Sequence, residues 1–129
     1  MIRMAKKQKF QKEFEMHCSP RILFNYLSTP SGLSEWFADD VRVTDGIYTF
    51  KWTGTESTAK MVHKRDNQMV RFKWMDDTEE GFFEFEILTD DLTSDVALLI
   101  TDFSVPEDQE EIVRLWETQI HSLKQIIGS

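Results

Sequence analysis

The sequence predicts an α+β domain in which a curved antiparallel sheet of six or seven strands wraps around one long C-terminal helix, with two short helices after the first strand. Three observations predict this arrangement. Two proline-initiated helical patterns follow the first strand without a linker, alternating strand patterns fill residues 40–103, and an apolar stripe at helical spacing closes the chain.

Length and charge limit the classes of function. The 129 residues fit a single domain, residues 1–129, which is large enough to bury a core without disulfides. A formal net charge of −8 disfavours nucleic-acid binding, because phosphates would repel such a surface. With one cysteine, no apolar leader and no apolar run of about 18 residues, we expect a cytoplasmic protein without a membrane span.

The first strand is predicted from Lys9 to Met16, because Phe10, Phe14 and Met16 share one parity. It lies in the one basic cluster of the chain. We interpret that cluster as a solvated strand face, and a contact with a phosphate or lipid headgroup is the alternative. The cluster comprises Lys6, Lys7, Lys9 and Lys12.

Two short helices follow this strand. Ser19 and Thr29 are suited to cap them, and Pro20 and Pro30 then occupy first-turn positions, where a proline costs nothing. Helices this short need a surface to pack on. Their apolar faces are predicted to comprise Ile22, Leu23, Tyr26 and Leu27 in the first and Leu33, Trp36 and Phe37 in the second.

Only strand patterns follow from Asp40 to Phe103, with turns predicted at Asp45-Gly46 and at Asp66-Asn67. The last of these strands contains a continuous V-A-L-L-I run, which is typical of a central strand or one covered on both faces. The apolar positions of the others alternate and include Tyr48, Phe50, Trp52, Val70, Phe72, Trp74, Phe83, Phe85 and Ile87.

The closing helix is about 20 residues long, enough to cross a sheet at roughly 30 Å. Ser104 and Glu107 have the spacing of a capping box, Pro106 fits the first turn, and Gly128 is a plausible stop. Its apolar stripe comprises Val113, Trp116, Ile120, Leu123 and Ile127.

The two aromatic strands in residues 70–87 are predicted to form a hairpin whose paired residue numbers sum to 157. Both faces then become complementary, and the turn centres on residues 77–80. One face meets water, and the closing helix is the element long enough to cover the other. The predicted pairs are Trp74–Phe83, Phe72–Phe85 and Val70–Ile87 on the covered face, and Lys73–Glu84 and Arg71–Glu86 on the other.

This order of elements resembles the START-like, or helix-grip, superfamily, which includes birch-pollen-allergen-type proteins and polyketide cyclases. The stretch C-S-P-R-I-L-F-N-Y-L-S-T-P-S-G-L-S-E-W-F and the final W-E-T-Q-I-H-S-L-K-Q-I-I carry the resemblance. Among its branches, the sequence looks most like the one related to the activator of the ninety-kilodalton heat-shock ATPase.

The resemblance implies that a small apolar ligand, lipid-like or aromatic, binds without catalysis between the sheet and the closing helix. It implies no cofactor. The alternative is that the same aromatic residues only fill the core. The implied lining residues are Trp36, Phe37, Trp52, Phe72, Trp74, Phe85 and Trp116.

Two other functions remain open. The heat-shock branch implies a protein-interaction module with a role in the stress response, whose partner would meet the charged strand face; we expect a monomer or weak dimer. An enzyme of the cyclase or hydrolase type would need an acid–base pair, for which His63 and Asp102 are the candidates. Exposed positions for both are the simpler interpretation.

Metal and thiol chemistry are not predicted. His17, His63 and His121 do not form a set with metal-ligand spacing. Cys18 precedes a helix, where a thiol can become nucleophilic, but a buried small side chain is the expected role.

Overall fold

The computed structural model describes residues 6–75 and 81–128, and it confirms the predicted architecture. Within these residues one antiparallel sheet has the strand order β1-β7-β6-β5-β4-β3-β2. The elements are β1 Gln8–Met16, α1 Pro20–Ser28, α2 Pro30–Trp36, β2 Asp40–Thr44, β3 Ile47–Trp52, β4 Thr55–Arg65, β5 Met69–Trp74, β6 Phe83–Thr89, β7 Val96–Ser104, a 3₁₀ turn Pro106–Asp108, and α3 Gln109–Ile127.

The two short helices begin as predicted. The hydroxyl of Ser19 accepts a hydrogen bond from the Ile22 backbone N–H at 3.2 Å, and a proline opens each helix. Thr29 is both the last position of α1 and the cap of α2, where its Oγ1 accepts from the Gly32 N–H at 2.9 Å. Because one residue serves both helices, α1 and α2 meet at a fixed angle without a linker.

Both predicted turns are present. Asp45 and Gly46 have φ of 52° and 78°, the left-handed conformation that a two-residue hairpin loop between β2 and β3 requires. In the β4–β5 turn Asn67 has a φ of 60°, and the Gln68 N–H donates to the Arg65 carbonyl at 2.9 Å.

The predicted register of the β5–β6 hairpin is wrong by two residues. Its observed pairs sum to 155: Phe72 lies opposite Phe83, whereas Trp74 was predicted there. A shift of two keeps every side chain on its predicted face, so the alternating pattern fits either register equally well. The predicted turn residues 77–80 lie outside the described residues. The observed pairs are Met69–Glu86, Val70–Phe85, Arg71–Glu84 and Phe72–Phe83.

Contacts on both faces stabilise the observed register. On the convex face the Arg71 Nε lies 2.8 Å from the Glu84 Oε1, and the guanidinium lies 3.9 Å from the centre of the Phe82 ring. On the concave face the Phe72 and Phe83 rings stack with centroids 5.0 Å apart. Arg71 therefore pairs with Glu84, whereas the predicted register paired it with Glu86.

The start of the closing helix also differs from prediction. Ser104 is the last residue of β7 and is only 1% exposed, so it does not form a capping box with Glu107. A 3₁₀ turn precedes α3, and Asp108 at the helix start makes no side-chain capping bond. The predicted stop is confirmed, because Gly128 has a φ of 74° and its N–H donates to the Lys124 carbonyl.

The closing helix lies against the concave face of the sheet, as predicted. Trp116, Ile120 and Leu123 are buried, and Val113 and Ile127 pack partly buried beside them.

The lysines of β1 do not share one face: Lys12 has the parity of Phe10 and reaches Glu117 of α3 at 4.0 Å, whereas Lys9 lies on the other face. None of the described helices has the length and hydrophobicity needed to cross a bilayer.

We predict that Gly32→Ala strongly destabilises the protein. A Cβ at this position would overlap the Asn25 carbonyl oxygen and lie 2.6 Å from the Tyr26 Cα, and both are backbone atoms that cannot move aside. The expected loss lies at the upper end of the roughly 1–3 kcal/mol that overpacking costs. Urea unfolding measures it, with the neighbouring exposed Ser31→Ala as control; equal stability of the two variants would contradict the close packing of α1 on α2.

Candidate functional site

The seven residues predicted to line a site lie in one connected cluster of aromatic rings. α2 supplies Trp36 and, directly after its last residue, Phe37; the sheet supplies four members and α3 supplies Trp116. Neighbouring rings in this cluster have centroids between 4.8 and 6.2 Å apart. The four members from the sheet are Trp52 on β3, Phe72 and Trp74 on β5, and Phe85 on β6.

Phe37 lies at the centre of the cluster, between the sheet and the helix. Its ring stacks on Phe83 at 5.4 Å and on Trp116 at 5.8 Å, with interplanar angles of 21° and 23°. Edge-to-face contacts with Phe50 and Trp52 surround this stack. Such ring pairs contribute about 0.5–1.5 kcal/mol each beyond their buried area.

The backbone carbonyl of Phe37 joins two further elements. It accepts hydrogen bonds from the Trp52 indole N–H at 2.8 Å and from the Gln119 side-chain amide at 3.2 Å. The Trp36 indole donates to the Tyr26 carbonyl at 2.8 Å. These bonds fix the orientation of the rings, and they satisfy polar groups that would otherwise be costly to bury.

The sequence argument missed two central members, Phe50 and Phe83. Both were recognised as strand residues with the correct parity, and they are 0% and 1% exposed. Phe83 stacks on Phe72 and lies 4.8 Å from Trp74. Their parity with Trp52 and Phe85 was the signal that could have found them.

Access to the cluster differs from one end to the other. Phe50, Phe72 and Phe85 are completely buried. Trp52 and Trp74, the last residues of β3 and β5, are only partly buried. The rings fill the centre of the space between sheet and helix, and the two indoles at the strand ends are the part of the cluster that meets solvent.

A carboxylate borders the cluster on its β7 side. Asp102 Oδ2 accepts from the Trp116 indole N–H at 2.8 Å, and Oδ1 accepts from the Phe103 backbone N–H at 2.8 Å. Burial raises the pKa of Asp102, and these two bonds together with the charge of Lys7 offset part of that rise. Asp102 was predicted to be exposed, and this expectation is wrong because the side chain lies under α3.

His63 and Asp102 do not form an acid–base pair. His63 lies opposite Arg71, Arg71 opposite Glu84, and Glu84 opposite Thr101, so all four occupy one row on the convex face. Asp102 is the next residue along β7 and points to the concave face. The exposed position expected for His63 is confirmed.

The structure also places the residues that were considered for metal and thiol chemistry. Among residues 6–75 and 81–128, no three His, Cys, Asp or Glu side chains are placed to hold a metal ion. Cys18 is half-buried ahead of α1, and His17 is exposed, 3.6 Å from Glu15. A surface cavity of about 610 Å³ lies at the opposite end of the sheet from Trp74, between α1 and the β4–β5 turn.

The raised pKa of Asp102 predicts a pH-dependent stability. Because the folded state holds this proton more tightly than the unfolded chain, whose reference value is 3.8, the side chain stabilises most at low pH. That contribution falls as the pH rises from about 3.8 through the higher folded pKa. The unfolding free energy of Asp102→Asn, relative to the unmodified protein, should therefore rise with pH across this window.

Asp90→Asn is the control of opposite sign. Hydrogen bonds from the Thr93 and Leu92 backbone N–H groups lower the pKa of Asp90, so its contribution is lost as the pH falls. The relative stability of this variant should decline with rising pH. Urea unfolding at stepped pH measures both variants, and a flat or falling curve for Asp102→Asn would contradict the burial of its carboxylate.

The family relationships of the chain agree with this geometry. Residues 4–129 match the family model of the START-like superfamily domain. The solution structure of a Bacteroides fragilis protein is similar at 34% identity and a TM-score of 0.68, over 96% of this chain and 93% of that one. Among curated proteins, none matches this sequence.

More distant structures share the fold alone. The Aha1 dimer of Colwellia psychrerythraea is similar at 16% identity and a TM-score of 0.76, over 91% of this chain and 93% of that one. An uncharacterised Bacillus thuringiensis protein reaches a TM-score of 0.78 at 9% identity, over 95% and 100% of the two chains. The match along nearly the whole sequence and the helix enclosed by the sheet lead to one conclusion: this chain belongs to the START-like superfamily.

Proposed function

We propose that the protein binds a small apolar ligand, aromatic or lipid-like, between the sheet and α3, and that it acts without catalysis. The observation that carries the proposal is the continuity of the aromatic cluster, from completely buried phenylalanines to the partly exposed Trp52 and Trp74. A ligand that reaches these indoles contacts an apolar surface, and the packing of the buried rings behind it already fixes the indoles in place.

The ligand would bind at the strand ends and not at the centre. Displacing Phe37 would break its stacks on Phe83 and Trp116 and two hydrogen bonds to its carbonyl. Displacing Trp74 disturbs fewer contacts, since its ring packs on Phe83 and Phe50 at one end of the cluster. Partly buried Ile112 and Val113 of α3 also pack against the core.

The expected affinity is modest. A bicyclic aromatic ligand that buries about 200 Å² of apolar surface gains roughly 5 kcal/mol before the costs of association. Without those costs 5 kcal/mol would correspond to a dissociation constant of about 0.2 mM, so the actual constant should be higher, in the millimolar range or above. A ligand that extends further along α3, such as a long alkyl chain, should bind more tightly because it buries more surface.

Ligand titration followed by two-dimensional amide NMR tests the proposal. With 2-naphthol or 1-decanol, we expect shifts of the Trp52 and Trp74 indole signals and of amides near the ends of β3 and β5. Trp74→Ala should weaken binding about tenfold, as expected when about 1.4 kcal/mol of ring contact is lost.

The control for that variant is Tyr26→Ala. Tyr26 is a partly buried aromatic residue that packs on the core from α1, away from Trp74. It should lose stability without losing ligand affinity. If no apolar probe shifts any signal, or if both variants weaken binding equally, the proposed site is wrong.

A protein-interaction role is the second candidate. The structural similarity to a dimeric protein favours it, and Leu115 of α3 is 58% exposed. The charged strand face has fewer free charged side chains for a protein partner than predicted, because Arg71 already pairs with a mostly buried Glu84. Sedimentation velocity between about 10 µM and 1 mM measures self-association, and a constant monomer over that range would remove a weak dimer from consideration.

A further inference from the structure

Two polar side chains lie side by side on the concave face, at the end of β7. Asp102 and Ser104 are two residues apart at the end of β7, opposite Phe10 and Gln8 of β1, and therefore point to the same side of the sheet. Glu84 pairs with Thr101, so the next residue along β7, Asp102, lies beside Phe83 of the aromatic cluster. Ser104 lies further towards the end of the sheet at which β5 ends in Trp74.

The hydroxyl of Ser104 has an unmet hydrogen-bonding capacity. It is buried, at 1% exposure, and its Oγ has no hydrogen-bond partner among residues 6–75 and 81–128. Leaving a buried hydroxyl unsatisfied costs about 1–3 kcal/mol, and folded proteins rarely accept that cost without a structural or functional reason.

Asp102 can also accept further hydrogen bonds. Its two oxygens accept from the Trp116 indole and the Phe103 backbone, whereas a carboxylate has about four acceptor positions. The pair therefore offers one donor, the Ser104 O–H, and at least one further acceptor, the Asp102 carboxylate. A single hydroxyl group matches both, since it donates one hydrogen bond and accepts others.

We propose that Asp102 and Ser104 bind a hydroxyl group of the ligand, which donates to the Asp102 carboxylate and accepts from the Ser104 O–H. This inference rests on the proposed function and narrows it to apolar alcohols and phenols. The ring or chain of the ligand lies against Trp74, and its hydroxyl group points to the end of β7.

The same surroundings disfavour an apolar carboxylate. Asp102 is itself acidic, and four further acidic residues lie in the 3₁₀ turn and the first turn of α3: Glu107, Asp108, Glu110 and Glu111. Among the described residues, Lys7 interacts with Asp102 and Lys12 with Glu117, so both cations already face acidic residues. Fatty acids and aromatic acids would therefore meet an acidic environment, whereas a neutral alcohol carries no such cost.

Three probes that share a naphthalene ring test which functional group the site recognises: 2-naphthol, 2-methoxynaphthalene and 2-naphthoate. The ether keeps the ring and loses the donated hydrogen, and the acid adds a negative charge. A hydrogen bond to a charged group contributes roughly 1.5–3 kcal/mol. In amide-NMR titrations at pH 7, we expect 2-naphthol to bind about tenfold or more tightly than either of the other probes.

Ser104→Ala tests the role of the hydroxyl without unfolding the protein, because it removes an unpaired buried polar atom and should leave stability equal or higher. The affinity for 2-naphthol should fall about three- to tenfold, because the hydrogen bond that the ligand oxygen accepts from Ser104 is lost. The matched control is Ser28→Ala: Ser28 is also buried, but its hydroxyl donates to the Phe24 carbonyl at 2.7 Å. That variant should lose stability and keep its affinity for 2-naphthol.

The outcomes distinguish the two proposals. If none of the three probes binds, the proposed function fails. If 2-naphthol and its ether bind equally well, apolar binding stands and the hydroxyl site is wrong. If Ser104→Ala binds 2-naphthol as tightly as the unmodified protein, Ser104 does not take part, and the inference as stated is overturned.

Discussion

The position of one ring, Phe37, between the sheet and the closing helix is the contact on which the rest of the structure depends. Phe83 lies on one side of this ring and Trp116 on the other, while the carbonyl of the same residue accepts hydrogen bonds from β3 and α3. The seven-residue α2 that places Phe37 there is too short to be stable alone. Its geometry comes from the shared cap at Thr29 and from the absence of a side chain at Gly32, which lets α2 pack against the backbone of α1.

Sequence patterns predicted which face each strand residue occupies, but not which residue lies opposite it. Alternation has a period of two, so a hairpin shifted by two residues satisfies it equally well. The choice between the two registers depends on specific side-chain contacts: Arg71 with Glu84, and the stack of Phe72 on Phe83. The strand parities, the caps of α1 and α2 and the turns at Asp45-Gly46 and Asp66-Asn67 were predictable because short local signals determine them, whereas the register is a property of two strands together.

The polar residues at the end of β7 show the other limit of sequence reasoning. Ser104 had the spacing of a helix cap, yet β7 continues through it, and a 3₁₀ turn intervenes before α3. Asp102 was placed at an exposed edge, since a carboxylate in an apolar strand is costly when buried. The indole of Trp116, 14 residues further along the chain, supplies the hydrogen bond that makes its burial tolerable. A hydrogen-bond partner on a distant element cannot be recognised from the local sequence pattern.

The aromatic cluster is filled at its centre and accessible at the strand ends, and this arrangement affects how it can select between ligands. Aromatic rings in contact discriminate weakly between apolar molecules, because the gain depends on area and hardly on chemical identity. A buried polar group discriminates strongly, since a ligand that leaves it unpaired loses the hydrogen bond and retains the desolvation cost. In the proposed site the rings would set how much apolar surface a ligand can bury, and Asp102 and Ser104 would set which functional group it must carry. A few polar residues at the strand ends could thus change what such a site binds without changing the fold.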